Sequence, residues 1–143
     1  MGDLSAPSYA LWNTLHDGVI VAIDGTVPGE PVLEVEIGYL AGRLCPGTKS
    51  VFVRLVDCSS FLYDFRSSME ETVRLSVLSE IAESRPIIMA GEQDLDGVLI
   101  ECWCGAIQCR YSSACIMLEN KAPIAYETLL AECERYWRDW GTI

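Results

Sequence analysis

Apolar and polar positions alternate most clearly over residues 32–40. Leu33, Val35 and Ile37 stand between Glu34 and Glu36, and a period of two sends the apolar set toward a core and the acids toward water. Residues 15–24 enter a second strand after Gly18, and the Gly- and Pro-rich stretch from Gly25 to Pro31 reads as the loop of a hairpin joining the two. Residues 42–50 read as a further loop and 51–57 as a strand, which residues 61–65 extend or bend. Pro86–Ala90 is a short apolar strand, and the turn at Asp94–Gly97 introduces a second hairpin over 98–104 and 106–118, reversed at Gly105. There Val98, Ile100, Cys102 and Cys104 share one face, and Leu99, Glu101 and Trp103 the other. Residues 119–123 end the sheet.

Helical spacing governs two segments. Over 124–140, Tyr126, Leu129, Leu130, Cys133, Tyr136, Trp137 and Trp140 recur at three- and four-residue steps, with Glu127 in the first turn and Arg135 and Arg138 near the end. Over 68–83, a capping box at Ser68–Glu71 and the spacing of Val73, Val77, Leu78, Ile81 and Ala82 predict a helix. Val73, Leu75 and Val77 also alternate, and a strand there would make the fold more barrel-like. Residues 1–10 read as an irregular arm. The expectation is an α+β domain over residues 1–143. Its sheet is mainly antiparallel, two hairpins plus additional strands, closed by an amphipathic C-terminal helix.

Composition narrows the function classes. The 143 residues are 50% hydrophobic and 22% charged, the balance of a globular chain. Ten Lys and Arg against 21 Asp and Glu give a net charge of −11, which argues against nucleic acid as a partner because phosphate contacts need clustered bases. No apolar run has the length of a membrane span, and the N-terminus lacks the basic and apolar regions of a secretory signal. Seven cysteines, an odd number without such a signal, point to free thiols in a reducing cytoplasm.

Candidate chemistry is sparse. Cys102, Cys104 and Cys109, joined by Cys115 or His16, have the ligand types of a zinc site, but not the paired Cys-x-x-Cys spacing that aims sulfurs at a metal. Small buried core thiols are the better reading, so no metal and no cofactor is expected. His16 beside Asp17 suggests a base with an orienting acid. Adjacent residues on a strand face opposite ways, however, so a turn bonded to nearby backbone is the simpler account. Hydrolase, zinc-protease and phosphate-loop motifs are absent, and no catalytic residue is assigned. The acids Glu30, Glu34, Glu36, Glu70, Glu71, Glu80 and Glu83 offer a negative surface that would steer a basic partner, although net charge also serves solubility. Trp12, Tyr136, Trp137 and Trp140 are core residues or, where exposed, interface anchors.

The run Leu15-His16-Asp17-Gly18-Val19-Ile20, the alternating strands and the closing Tyr136-Trp137-Arg138-Asp139-Trp140 resemble small uncharacterised bacterial β-rich domains, among them immunity proteins of polymorphic toxin systems. The resemblance implies a cytoplasmic bacterial protein that binds and blocks a toxin without catalytic residues of its own. The expected function is therefore a non-enzymatic binding protein, an immunity-like inhibitor of a basic toxin, with Glu34, Glu36, Trp137 and Trp140 as partner-binding residues. Two alternatives remain open. One is a small-ligand-binding domain or enzyme with a pocket near His16 and Asp17. The other is a structural homodimer formed through a sheet edge or the terminal helix.

Overall fold

The computed structural model describes residues 9–67, 71–95 and 97–141, with the side chains of 140 and 141 excepted. In chain order the elements are α1 (Ala10–Thr14), β1 (Val19–Asp24), β2 (Val32–Glu36), α2 (Gly38–Leu44), β3 (Ser50–Val56), β4 (Ser60–Arg66) and β5 (Thr72–Leu75). They continue with α3 (Leu78–Glu83), β6 (Ile88–Asp94), β7 (Gly97–Cys102), β8 (Gly105–Arg110), β9 (Ser113–Leu118), β10 (Pro123–Ile124) and α4 (Tyr126–Gly141). The fold is α+β. Its strands form two antiparallel sheets, ordered β1-β2-β3-β9-β10 and β5-β4-β8-β7-β6.

The sheets are two halves of one curved wall. β3 pairs with β9 and β4 with β8, so each long strand pair turns a corner and passes from one sheet to the other. Two backbone hydrogen bonds carry the pairing across the corner, from Ser59 N to Arg110 O and from Ser112 N to Val56 O, both 2.9 Å. On the far side the start of β1 is bonded to the start of β6 through Ile20 N to Pro86 O (3.0 Å) and Ile88 N to Gly18 O (2.8 Å). Inside lies one continuous apolar cluster, with Leu33, Val35, Val51, Val53 and Ile116 from the first sheet and Phe61, Ile100 and Ile107 from the second. Burial of each such side chain contributes about 1.5–3 kcal/mol.

The helices close the wall. α3 packs beside β1 and β5, which do not pair with each other, and α4 packs on α2 and α1 while sending Tyr126, Leu129 and Cys133 into the core. α1 clasps the edge of β6. The Asn13 amide accepts from Gly91 N (3.0 Å) and donates to Gly91 O (3.2 Å), so a side chain takes the place of a neighbouring strand. A Cβ on Gly91 would lie 2.3 Å from Tyr9 O, which is why the contact needs glycine. Trp12, fully buried, donates its indole N–H to the Tyr111 hydroxyl at 3.0 Å, tying α1 to the corner between β8 and β9.

Several sequence expectations need correction. The arm predicted over 1–10 gives way to α1 at Ala10; residues 1–8 lie outside those described. The strand predicted over 32–40 stops at Glu36, because the alternation ends at Ile37 and Leu40, Ala41 and Leu44 follow at helical spacing on the core side. α2 thus takes the first part of the predicted loop 42–50. The helix predicted over 68–83 is strand β5 followed by the short α3. Leu75, Arg74, Val73 and Thr72 pair with β4, so sheet pairing overrides local helical spacing. Residues 68–70, most of the predicted capping box, lie outside those described. β6 runs to Asp94, well past Ala90, and the predicted strand 106–118 breaks at the corner into β8 and β9. Cys104 does not share the core face with Cys102. With φ of 65° it sits exposed in the two-residue turn after β7, and Gly105 begins β8.

Candidate functional site

The residues singled out from sequence fall in three places. His16 and Trp137 come together: their rings stack with centroids 5.1 Å apart, and His16 Nδ1 lies 2.9 Å from Asn13 O. Tyr39 and Tyr136 join them, Tyr39 donating to His16 O at 3.1 Å. Arg43 lies over the Tyr136 ring and bridges Glu132 (3.3 Å) and Asp139 (3.0 Å). Trp137 is 37% exposed, and its indole engages Tyr39 and Cys133. Burial pushes the Tyr39 hydroxyl upward, with Cys133 and Asp17 adding to the shift. Asp17 is exposed in a left-handed turn and makes no hydrogen bond to the imidazole. The cluster is thus built as a joint between α1, α2 and α4. The Trp140 side chain lies outside the described residues.

Glu34 and Glu36 lie on the outer face of the first sheet, half-buried and engaged within the chain. Ser50 Oγ donates to Glu34 at 2.8 Å, and Lys49 Nζ lies 3.9 Å from Glu36. The neighbouring Glu30 faces Arg54 at 4.0 Å. Glu80 and Glu83 are on α3, and Glu70 lies outside the described residues, so these acids are not gathered on one face.

The cysteines divide by environment. Burial raises the Cys102 thiol to about 12 and pushes Cys58 and Cys109 upward as well, which keeps all three as neutral thiols near pH 7. Among the described residues no group of three His, Cys, Asp or Glu side chains is arranged to hold a metal ion. No helix among them is long and apolar enough to cross a membrane.

The open surface is elsewhere, on the outer face of the second sheet. The helices pack chiefly on β1, β3, β5, β6 and one another, so among the described residues no helix packs broadly on β4, β8 or β7. One row across this face reads Ala90, Glu101, Ala106, Asp64, Arg74, and the next reads Glu92, Leu99, Gln108, Leu62. Asp64 accepts two hydrogen bonds from Arg74, at 2.7 and 2.8 Å, and these hold its carboxyl below the ordinary range. Glu92 and Glu101 are exposed and make no ion pair among the described residues.

Apolar side chains stand at both ends of this face. Trp103, in the β7–β8 turn, is 65% exposed, with Met89 (44%) on β6 and Ile87 just before it; Trp103 N donates to Ile87 O at 2.9 Å. At the other end Leu95 is 89% exposed, beside a cleft that Arg110 and Gln108 help to line. A cleft of about 410 Å³ opens next to Trp103 between Tyr63, Phe65, Arg85 and Ile87. No protein-family model, curated protein or solved structure matches the chain. The site therefore rests on its own geometry.

That geometry suits recognition. A tryptophan held on a tight turn between paired strands loses little freedom when it is covered, and tryptophans are enriched among residues that dominate interface energies. Sequence reasoning placed Trp103 on the strand face of Leu99 and Glu101 but gave it no role. The signal for the face was nonetheless present: Leu99, Glu101 and Trp103 alternate with the core set, so a large aromatic residue was bound to face outward.

Proposed function

We propose that the chain is a non-enzymatic protein-binding module, an immunity-like inhibitor that docks a basic toxin through the outer face of its second sheet. The observation that carries this reading is the exposed Trp103, with Ile87 and Met89 also exposed, at the end of a sheet face that no helix among the described residues packs across. The net charge of −11 supports long-range attraction of a basic protein, and the apolar ends of the face supply the short-range anchor.

The test compares tagged wild-type chain with Trp103→Ala in capture from lysate of the source cells, washed at rising salt. Wild type should retain one basic protein. Trp103→Ala should weaken that complex by about 2 kcal/mol, roughly thirtyfold in Kd, the scale of an interface hot spot. Its stability should stay within about 0.5 kcal/mol of wild type, since the indole is mostly in water. Capture that ignores Trp103, or recovery of the chain only with itself in sedimentation, overturns the reading and favours a homodimer.

A further inference from the structure

We propose that the cleft beside Trp103 binds a small planar aromatic carboxylate, its ring against Trp103 and Phe65 and its carboxylate on the Tyr63 hydroxyl and the Arg85 guanidinium. The cleft, about 410 Å³, lies at the end of the second sheet, between β4, the β7–β8 turn and the link from α3 to β6. That volume falls in the range of small-molecule sites. Its frame is pinned on two sides, since Trp103 N donates to Ile87 O and Arg66 N to Cys104 O, both at 2.9 Å. Tyr63 and Phe65 alternate with Asp64 on β4, so both rings turn away from the Arg74 pair, and they stack with centroids 5.5 Å apart. With Trp103 they give the cleft three aromatic walls, which hold a flat ring by stacked or edge contacts. The site stands whether or not a protein partner docks at Trp103.

The polar groups of the cleft select the charge of its ligand. Tyr63 is only 4% exposed and lines the cleft, and its hydroxyl makes no hydrogen bond among the described residues. Among those residues no side-chain oxygen sealed from water lacks a partner, so this hydroxyl opens on the cleft. Burial pushes it up to about 12, which keeps it protonated and able to donate at neutral pH. Arg85 follows α3 in the left-handed region, with φ of 50°, and makes no ion pair among the described residues. Ser84, by contrast, already donates its hydroxyl to Glu80 O at 3.2 Å. No acid lines the cleft, although the chain carries a net charge of −11. Two unengaged donors, one of them a planar cationic fork, match a carboxylate. On an aromatic ring that group lies close to the plane of the ring, so one flat molecule meets both the walls and the donors.

The experiment titrates the 15N-labelled full chain with 2-naphthoate, with the neutral 2-naphthylmethanol and with the cationic 2-naphthylmethylammonium, read by amide and indole N–H shifts. The expected result is shifts centred on the Trp103 indole and the amides of Arg85 and Ile87, with a naphthoate Kd below about 1 mM. The acid should bind roughly tenfold tighter than the alcohol, and the ammonium more weakly than either. Arg85→Asn, which suits the left-handed backbone, should remove that preference. Arg110→Gln, the same loss of charge at the far end of β8, should not. Tyr63→Phe should weaken naphthoate roughly tenfold and leave the melting midpoint within about 2 °C of wild type, because the hydroxyl has no partner in the fold to lose. A hydroxyl that served the fold would lower the midpoint instead. No shift at millimolar naphthoate, shifts away from the cleft, equal binding of acid and alcohol, tighter binding of the ammonium, or an unchanged Kd in Arg85→Asn or Tyr63→Phe overturns the proposal.

Discussion

Substituting Gly91 tests whether the short first helix is part of the folded unit or an ornament on it. Gly91 is buried under α1, and a Cβ there would meet Tyr9 O at 2.3 Å and Trp12 Cβ at 2.8 Å. Neither neighbour is the end of a flexible side chain, so Gly91→Ala must push α1 away from β6. Overpacking of this kind costs about 1–3 kcal/mol. The shift also stretches the two Asn13 hydrogen bonds to Gly91, each worth about 1 kcal/mol. The sum, with the bonds only partly lost, is about 2–4 kcal/mol, a fall in Tm of roughly 7–14 °C for a chain of this size. Gly47→Ala is the informative control. Gly47 has φ of +87° and nothing within 4 Å of its added Cβ, so it reports backbone strain alone, about 1 kcal/mol. Urea and thermal unfolding of both variants settle the matter. A Gly91→Ala midpoint within roughly 2 °C of wild type would refute the claim that α1 is held by close approach.

Other consequences are open to simpler measurement. Tyr111→Phe leaves the buried Trp12 indole N–H without its acceptor and should cost about 1–3 kcal/mol in urea unfolding; an unchanged midpoint would mean that the bond contributes nothing. Brief alkylation of the native protein at neutral pH should label exposed Cys104 first and leave buried Cys58, Cys102 and Cys109 protected until denaturant is added, as peptide mass spectrometry would show. The Asp64 carboxyl is depressed in the folded state by Arg74, so its contribution is present above the ordinary carboxylate value and fades as pH falls through the lowered one. The stability gap between wild type and Arg74→Ala should accordingly be constant above about pH 5 and close in the acid range; a gap that widens on acidification would contradict the assignment.

The legible parts of the fold were those in which local pattern and tertiary demand agree. β2, β7 and α4 have one wet and one dry face, so period alone placed them. The misread segments are those in which a neighbour decides. Residues 72–75 carry helical spacing, but β4 offers a row of backbone partners, and four residues extended against it satisfy more groups than one exposed turn of helix would. α2 was hidden because seven residues beginning at Gly38 make a poor helix alone; packing against α4, with Arg43 bridging to Glu132 and Asp139, holds it in place. The corner at 57–59 and 111–112 is a long-range feature, since each bend is fixed by hydrogen bonds from the other strand.

The candidate site was obscured for a related reason. Net charge marks an acidic chain, but pairing decides which acids remain available to a partner. Glu34 and Glu36 sit on the most regular strand in the sequence, yet Ser50 and Lys49 lie against them in the fold. Glu101 looks no different in sequence and has only alanine on either side. The same holds for the aromatics. The helical spacing of Trp137 drew attention to it, and that spacing is what turns it toward His16 and Tyr39. Trp103 stands in the turn between β7 and β8, past the last paired residue of β7, and stays 65% exposed. A residue available for recognition here is one that the fold's own pairing leaves over, and that remainder is set by strand register, which sequence periodicity alone does not determine.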